Sequence, residues 1–160
     1  MDSTGSVVSL HITSTGAAVM QTVNQVEAVA GRGLQGDRYL LELGTYSSQP
    51  GTGRHVTLIE SESLAALKSE YGVEIEPGQS RRNIVTRGVA LNHLVGREFT
   101  VGAARLRGMR LCEPCAHLER LSVRGALRGL IHRGGLRADI LIGGTLRVGD
   151  SIAPLDQRLR

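Results

Sequence analysis

Residues 111–121 read LCEPCAHLERL, and both cysteines of the chain lie in this stretch, as Cys112-Glu113-Pro114-Cys115. Two thiols at this spacing support four kinds of chemistry. As half of a zinc site they need two more ligands. His117 and His132 are available, but no second C-x-x-C and no H-x-x-x-H follows. As a dithiol redox pair the spacing fits, but such pairs follow an early strand and open a long helix of a βαβ unit, whereas this pair comes late in the chain. As a packed, inert pair they act as small hydrophobes. The fourth chemistry is a single functional thiolate at Cys115. Pro114 ends the preceding strand and forces a turn, so Cys115 falls at the start of a helix, AHLERL. Backbone N–H groups and the helix dipole stabilise a thiolate there, and Arg110 and Arg120 add positive charge. A thiolate binds a soft metal or accepts a sulfur atom. Cys112, at a strand end, reads as a resolving thiol or as packing.

The elements that must position these thiols are mostly strands. VVSLHIT (7–13) alternates apolar and small polar residues, and AVMQTVNQVEAVAG (18–31) continues the alternation. GRGLQGDRYL (31–40) reads as a loop, within which Asp37 is expected to accept backbone N–H groups and pair with Arg38. RHVTLIE (54–60) is a strand with an apolar centre. SESLAALKSEYG (61–72) is the clearest helix, with Ser61 as N-cap, Leu64, Leu67 and Tyr71 on one face, and Gly72 at its end. A Pro-Gly turn leads to a short strand, NIVT, and residues 94–111 form two strands around a glycine turn. Two short helices follow the cysteines. Residues 137–155 read as a hairpin turning at Gly143-Gly144. With strands outnumbering helices and 21 glycines, this pattern predicts a mostly β, α+β domain: a closed or nearly closed barrel with a few peripheral helices. One domain spans 6–155, leaving 156–160 as a short tail.

Composition narrows the functions. The 160 residues carry a net charge of +4, and Lys68 is the only lysine. A pyridoxal-phosphate enzyme needs a Schiff-base lysine in a desolvated pocket; Lys68 lies on what reads as the wet face of its helix. Four scattered aromatics, Tyr39, Tyr46, Tyr71 and Phe99, make no base-stacking platform, so nucleic acid is not an expected partner. No run of about 18 apolar residues would cross a membrane, and the acidic N-terminus lacks a signal-peptide pattern, so the cytosol is the expected location. Gly31-Arg-Gly33-Leu-Gln-Gly36 fits G-x-G-x-x-G, but Asp37-Arg38 follows it rather than an apolar helix, so the dinucleotide reading fails. His11, His55 and His93 carry no expected role.

Several stretches together resemble one family, the MOSC domain, named for the C-terminal domain of molybdenum-cofactor sulfurases. They are GRGLQGDRY (31–39), RHVTLIESESL (54–64), RRNIVTRGVALNHLVGREFTVG (81–102), LCEPCAHLE (111–119), HRGGLRADIL (132–141) and GGTLRVGDSI (143–152). The likeness is to the small stand-alone bacterial form. It implies a β-barrel-based fold and a cysteine, here Cys115, that carries sulfur as a persulfide or ligates molybdenum. It implies a pyridoxal-phosphate cysteine desulfurase, or another sulfur donor, as partner, so that pyridoxal phosphate would enter only through that partner. It also implies molybdenum-cofactor binding, or reduction of N-hydroxylated compounds with electrons from an external protein. In that frame Arg81, Arg82 and Asn83 are expected to hold the cofactor, because arginine forks suit its phosphate and Asn83 offers both donor and acceptor. His132 and Arg133 are expected to line the site, His132 as proton donor or wall. The alternative to catalysis is a zinc- or cofactor-binding barrel module.

Overall fold

A computed structural model describes residues 4–41, 53–114, 118 and 124–155. Its centre is a barrel. Strands β1 (Gly5–Ile12), β5 (Val56–Glu60), β6 (Ile84–Arg87), β7 (Glu98–Val101), β8 (Ala104–Leu111), β9 (Leu136–Ile142) and β11 (Ser151–Pro154) pair in the order β11-β7-β8-β9-β5-β6-β1. The ring closes where β11 pairs back onto β1, Gly5 opposite Ile152. Strand β2 (Gln21–Val23) extends β1 at the rim, and β3 (Gln25–Val29), β4 (Gly33–Leu34) and β10 (Gly144–Arg147) form a separate three-stranded sheet. The mostly β barrel expected from the strand pattern is the observed architecture. Among the described residues no helix is long and apolar enough to cross a membrane.

Alternation decides which side chains fill the barrel. Leu10, Val56, Leu58, Ile84, Phe99, Leu106 and Leu136 point inward and are fully buried. Each such side chain contributes about 2 kcal/mol by leaving water. Strand β5 has a near-continuous apolar centre because it is covered on both faces. Leu58 faces the barrel interior, while Ile59 joins Leu67, Val85 and Leu130 in a second core. That second core lies under helix α1 (Ser61–Tyr71). β5 and β6 are parallel, Leu58 opposite Ile84, and α1 is the crossover that a parallel pair requires.

Three local expectations change. The helix N-cap is Glu60, with no side-chain capping bond, rather than Ser61; Glu60 turns its carboxylate instead to the Leu91 backbone N–H, 3.1 Å away. The C-cap is as expected, with Gly72 in the left-handed conformation at φ 66. Within the 31–40 loop, Gly33–Leu34 pairs with β3. The Gly143-Gly144 hairpin is not one: β9 stays in the barrel, while β10 pairs with β3, Gly144 opposite Ala28. The double glycine is the corner where the chain leaves the barrel for the second sheet. A Cβ on Gly143 would lie 2.5 Å from the Ala28 carbonyl oxygen, closer than side chains tolerate. Of the two helices expected after the cysteines, the second is present as α2 (Ala126–Gly129); the first lies mostly outside the described residues.

Candidate functional site

Cys115, His117 and Arg120 lie outside the described residues, and the site is built from what surrounds the chain up to Pro114. Strand β8 ends at Leu111 and delivers Cys112-Glu113-Pro114 against the loop that precedes β9. The Cys112 N–H donates to the Gly135 carbonyl at 2.7 Å. A Cβ on Gly134 would meet the Cys112 carbonyl oxygen at 2.5 Å and the Pro114 ring at 3.0 Å. At Gly135, φ is 113 and a Cβ would run into the Leu58 carbonyl. Gly134 is therefore the seat into which Cys112-Glu113-Pro114 fits, and Gly135 lets the same loop pack on strand β5. Cys112 is a free, buried thiol.

Arg82 locks the two segments together. It is buried, and its Nε donates to the Gly134 carbonyl at 2.8 Å, its Nη2 to the Cys112 carbonyl at 3.0 Å and its Nη1 to the Ser80 carbonyl at 3.3 Å. Arg81, with φ 64, sends Nη1 to the Ala18 carbonyl at 2.5 Å and Nη2 to the Gly16 carbonyl at 2.8 Å. Burial and the neighbouring Arg38 guanidinium hold the Arg81 pKa below its ordinary value. Asn83 is turned inward. Its Oδ1 accepts from the Thr57 N–H at 3.0 Å and the Thr57 hydroxyl at 3.2 Å, and its Nδ2 donates to the His11 carbonyl at 3.1 Å. All three side chains bind the chain itself.

The HRGG residues divide. Arg133 turns away to helix α1, where Nη1 and Nη2 each meet a Glu70 oxygen at 3.1 Å while Nε donates to the Gly129 carbonyl at 2.9 Å. The hydrogen bonds between them, and then their opposite charges, lower the Glu70 pKa and raise that of Arg133. His132 turns towards the cysteine turn. Glu113 Oε1 accepts the His132 backbone N–H at 2.7 Å, and Oε2 lies 2.9 Å from the ring Nδ1. Asn92 Nδ2 donates to the His132 carbonyl at 2.9 Å. The structure thus brings Arg82, Gly134, Gly135 and His132 to the CEPC turn and takes Arg133 elsewhere. Glu113 is the residue that sequence reasoning missed; inside C-x-x-C its only signal is being the variable x.

The Gly36-Asp37-Arg38 turn is as expected. Asp37 accepts the Thr13 N–H at 3.1 Å and the Tyr39 N–H at 3.3 Å, and pairs with Arg38 at 3.2 Å. Arg38 also stacks 4.4 Å from the Tyr39 ring centroid and donates to the Arg81 carbonyl at 3.0 Å, tying this turn to the Arg81-Arg82-Asn83 strand mouth. His11, in strand β1, is buried. Its ring nitrogens hydrogen bond with Ser9 Oγ at 2.8 Å and Thr22 Oγ1 at 3.0 Å, and burial lowers its pKa. It lines a cavity of about 650 Å³ with Met20, Gly78 and Arg81. Lys68, 64% exposed, is paired at 3.4 Å with Glu74 on the wet side of α1. No group of three or more potential metal ligands occurs among the described residues.

The MOSC domain family matches residues 45–153 of the chain. Among solved structures, the YuaD protein from Bacillus subtilis superposes with a TM-score of 0.78 at 17% identity, covering 96% of this chain and 97% of that one. YiiM from Geobacillus stearothermophilus superposes at 0.70 with 15% identity, covering 96% and 76% of the two chains. YiiM from Escherichia coli gives 0.65 at 15% identity, covering 100% and 72%. At these identities the likeness is one of fold. No curated protein matches.

Proposed function

Because the chain belongs to the MOSC domain family, we propose that it handles sulfur as a carrier, holding one sulfur atom as a persulfide on Cys115. The observation that supports this most is the seating of the CEPC turn. Cys112 donates to Gly135, His132 donates to the Glu113 carboxylate, and Arg82 bridges the Cys112 and Gly134 carbonyls, so that Cys112 and Glu113 are fixed against the HRGG loop. A turn held this firmly, ending on proline, suits a cysteine whose thiolate must meet a partner in a fixed orientation. In the transfer, the Cys115 thiolate attacks the outer sulfur of a donor persulfide; the new S–S bond forms as the donor's own S–S bond breaks and the donor cysteine leaves as its thiolate. The donor is a pyridoxal-phosphate cysteine desulfurase or another persulfide protein, and the acceptor is a metal–sulfur centre or cofactor. The protein would work in the cytosol, with no nucleic acid as partner.

The molybdenum cofactor associated with the family fits less well at Arg81, Arg82 and Asn83. A phosphate grip needs guanidinium donors to spare, and Arg82 spends Nε, Nη1 and Nη2 on three carbonyls while Arg81 spends Nη1 and Nη2 on two. Asn83 has both sides of its amide engaged by Thr57 and His11. In this reading the three hold the walls of the site, His132 lines it, Arg133 braces it through Glu70, and Cys115 does the chemistry.

The test is sulfur loading. The full chain and its Cys115→Ala variant are incubated with cysteine and a cysteine desulfurase, and each intact mass is measured beside its molybdenum content. One added sulfur atom in the wild type, removed by a thiol reductant and absent from the variant, is the expected result. Molybdenum near one per chain without sulfur loading, lost in Cys115→Ala, would replace the carrier by a cofactor-binding reductase of N-hydroxylated compounds. Zinc in that ratio would make the CEPC turn a structural metal site in a non-catalytic module.

A further inference from the structure

In strand β1, Leu10 points into the barrel, so Ser9 and His11 on either side of it point outward. An outward histidine ordinarily meets water, yet His11 is buried. Strand β2 brings Thr22 directly opposite it. Met20 and the short helical turn Pro77–Ser80 close over the ring: a Cβ on Gly78 would stand 3.4 Å from Nδ1 and 3.7 Å from the Met20 Cβ. Both the cover and the residue are held in place. The Met20 sulfur accepts from Arg38 Nη1 at 3.5 Å, and Asn83 Nδ2 donates to the His11 carbonyl at 3.1 Å. Under this cover lies the cavity of about 650 Å³, a size that takes a small organic ligand.

The floor of the cavity has a hydrogen too many for its own contacts. Burial lowers the His11 pKa and so keeps the ring neutral. A neutral imidazole carries one N–H and one bare nitrogen. Its Nε2 lies 2.8 Å from the Ser9 hydroxyl and its Nδ1 lies 3.0 Å from the Thr22 hydroxyl. The ring and the two hydroxyls thus bring three hydrogens to two contacts. In either tautomer, one hydroxyl gives its hydrogen to the ring and keeps lone pairs to offer. The other hydroxyl accepts from the ring and keeps its own hydrogen to offer. Both hydroxyls belong to residues that line the cavity. The floor therefore presents one donor and one acceptor, and a change of tautomer exchanges them.

The walls are apolar, from Ala17, Val19, Met20 and Pro77. Val19 is 88% exposed at the rim, apolar surface that a ligand would take out of water. The charges of the lining cancel, one positive on Arg81 and one negative on Glu76. Arg81 also spends Nη1 and Nη2 on the Ala18 and Gly16 carbonyls. One donor and one acceptor beneath apolar walls of no net charge match the edge of an amide. We infer that this cavity is a binding site for a small neutral amide on an apolar body, whose carbonyl accepts from one of the Ser9 and Thr22 hydroxyls and whose N–H donates to the other. Among the described residues, none of the CEPC turn or the HRGG loop lines the cavity, so the inference is independent of the sulfur-carrier reading.

The test is a titration of the full chain with benzamide, benzoate and toluene, which share a ring and differ in the head group. Binding is followed by nuclear magnetic resonance at the His11 ring and the Met20 methyl. Benzamide is expected to shift both signals saturably, with toluene and benzoate each weaker by about tenfold or more. Thr22→Val keeps the shape and strand preference of the residue, and Ser9→Ala removes only the other hydroxyl. Each should weaken benzamide about tenfold and leave toluene within about twofold. Toluene binding as tightly as benzamide would make this an apolar hole and overturn amide recognition. Tighter benzoate would overturn it in favour of an anion site at Arg81. Unchanged benzamide binding in both variants would take the hydroxyls out of the recognition. No shift at His11 or Met20 with any of the three compounds would sink the site itself. The wild-type comparison decides the ligand class even where a variant fails to fold.

Discussion

The chain contains two double glycines, and they do opposite work. Gly134-Gly135 lets one segment sit inside another: the CEPC turn lies where a Cβ on Gly134 would be, and the Leu58 carbonyl lies where a Cβ on Gly135 would be. Gly143-Gly144 lets the chain leave the barrel and start a second sheet beside Ala28 and Ala103. The first pair is surrounded by hydrogen-bonded polar groups: Arg82 on the Gly134 and Cys112 carbonyls, and Glu113 on His132. The second is surrounded by alanines and backbone. Glycine dipeptides that look alike in the sequence thus mark a site in one place and a change of direction in the other.

Single substitutions can break this contrast, and the largest effect is expected at Gly135. Gly135→Ala must relieve both a left-handed φ of 113 and a collision with the Leu58 carbonyl; it should cost about 3 kcal/mol or more and lower the thermal midpoint by several degrees. Gly144→Ala meets only Ala103, its Cβ at 3.1 Å and its carbonyl carbon at 3.3 Å, and should cost about 1 kcal/mol or less while sulfur loading stays normal. Equal losses at the two positions, measured by denaturant titration, would mean that the HRGG pair has no special seat.

Arg82→Met comes next. It keeps length and apolar volume but leaves the carbonyls of Cys112 and Gly134 without their buried donor. Unpaired buried acceptors of this kind cost about 1–3 kcal/mol each. The expected outcome is a loss of about 2–4 kcal/mol, together with faster amide exchange at Cys112, whose N–H reaches Gly135 across the same gap. Full stability in Arg82→Met would show that the two loops hold without the arginine.

The smallest effect is at the other end of strand β5. Burial raises the Glu60 pKa above its ordinary value, outweighing the Leu91 N–H that lowers it. A carboxyl whose folded pKa is raised binds its proton more tightly in the folded state. Its contribution is present below the ordinary carboxylate pKa and is lost as pH rises through the folded value. Glu60→Gln keeps an acceptor for the Leu91 N–H and should therefore raise the thermal midpoint slightly near neutral pH, with the gain vanishing in acid. A gain independent of pH would mean that charge burial is not the cause.

Local pattern made much of the fold legible. Two-residue alternation marked β1 and the strands around Gly102, and Leu67 with Gly72 marked helix α1 and its end. What failed were the places where partners come from afar. Ser61 has the chemistry of an N-cap, yet Glu60 occupies that position because it is also the last residue of β5 and answers to Leu91, 31 residues on. Gly143-Gly144 has the chemistry of a hairpin turn, yet β10 pairs with β3 more than a hundred residues earlier. His11 carried no expected role because nothing local says that Ser9 and Thr22 close on its ring.

The same division runs through the site. By itself the sequence determined the thiol pair, the proline turn that fixes where strand β8 stops, the barrel-forming alternation and the membership of the MOSC family, because residue types and short-range spacing suffice for these. Only the tertiary structure decided that Arg82 spans 30 residues to Cys112 and 52 to Gly134, that Arg133 leaves the site for Glu70, and that Glu113 clamps His132. Those are single hydrogen bonds between segments whose meeting depends on barrel closure, and no periodicity in the chain encodes which distant carbonyl or carboxylate a side chain will find.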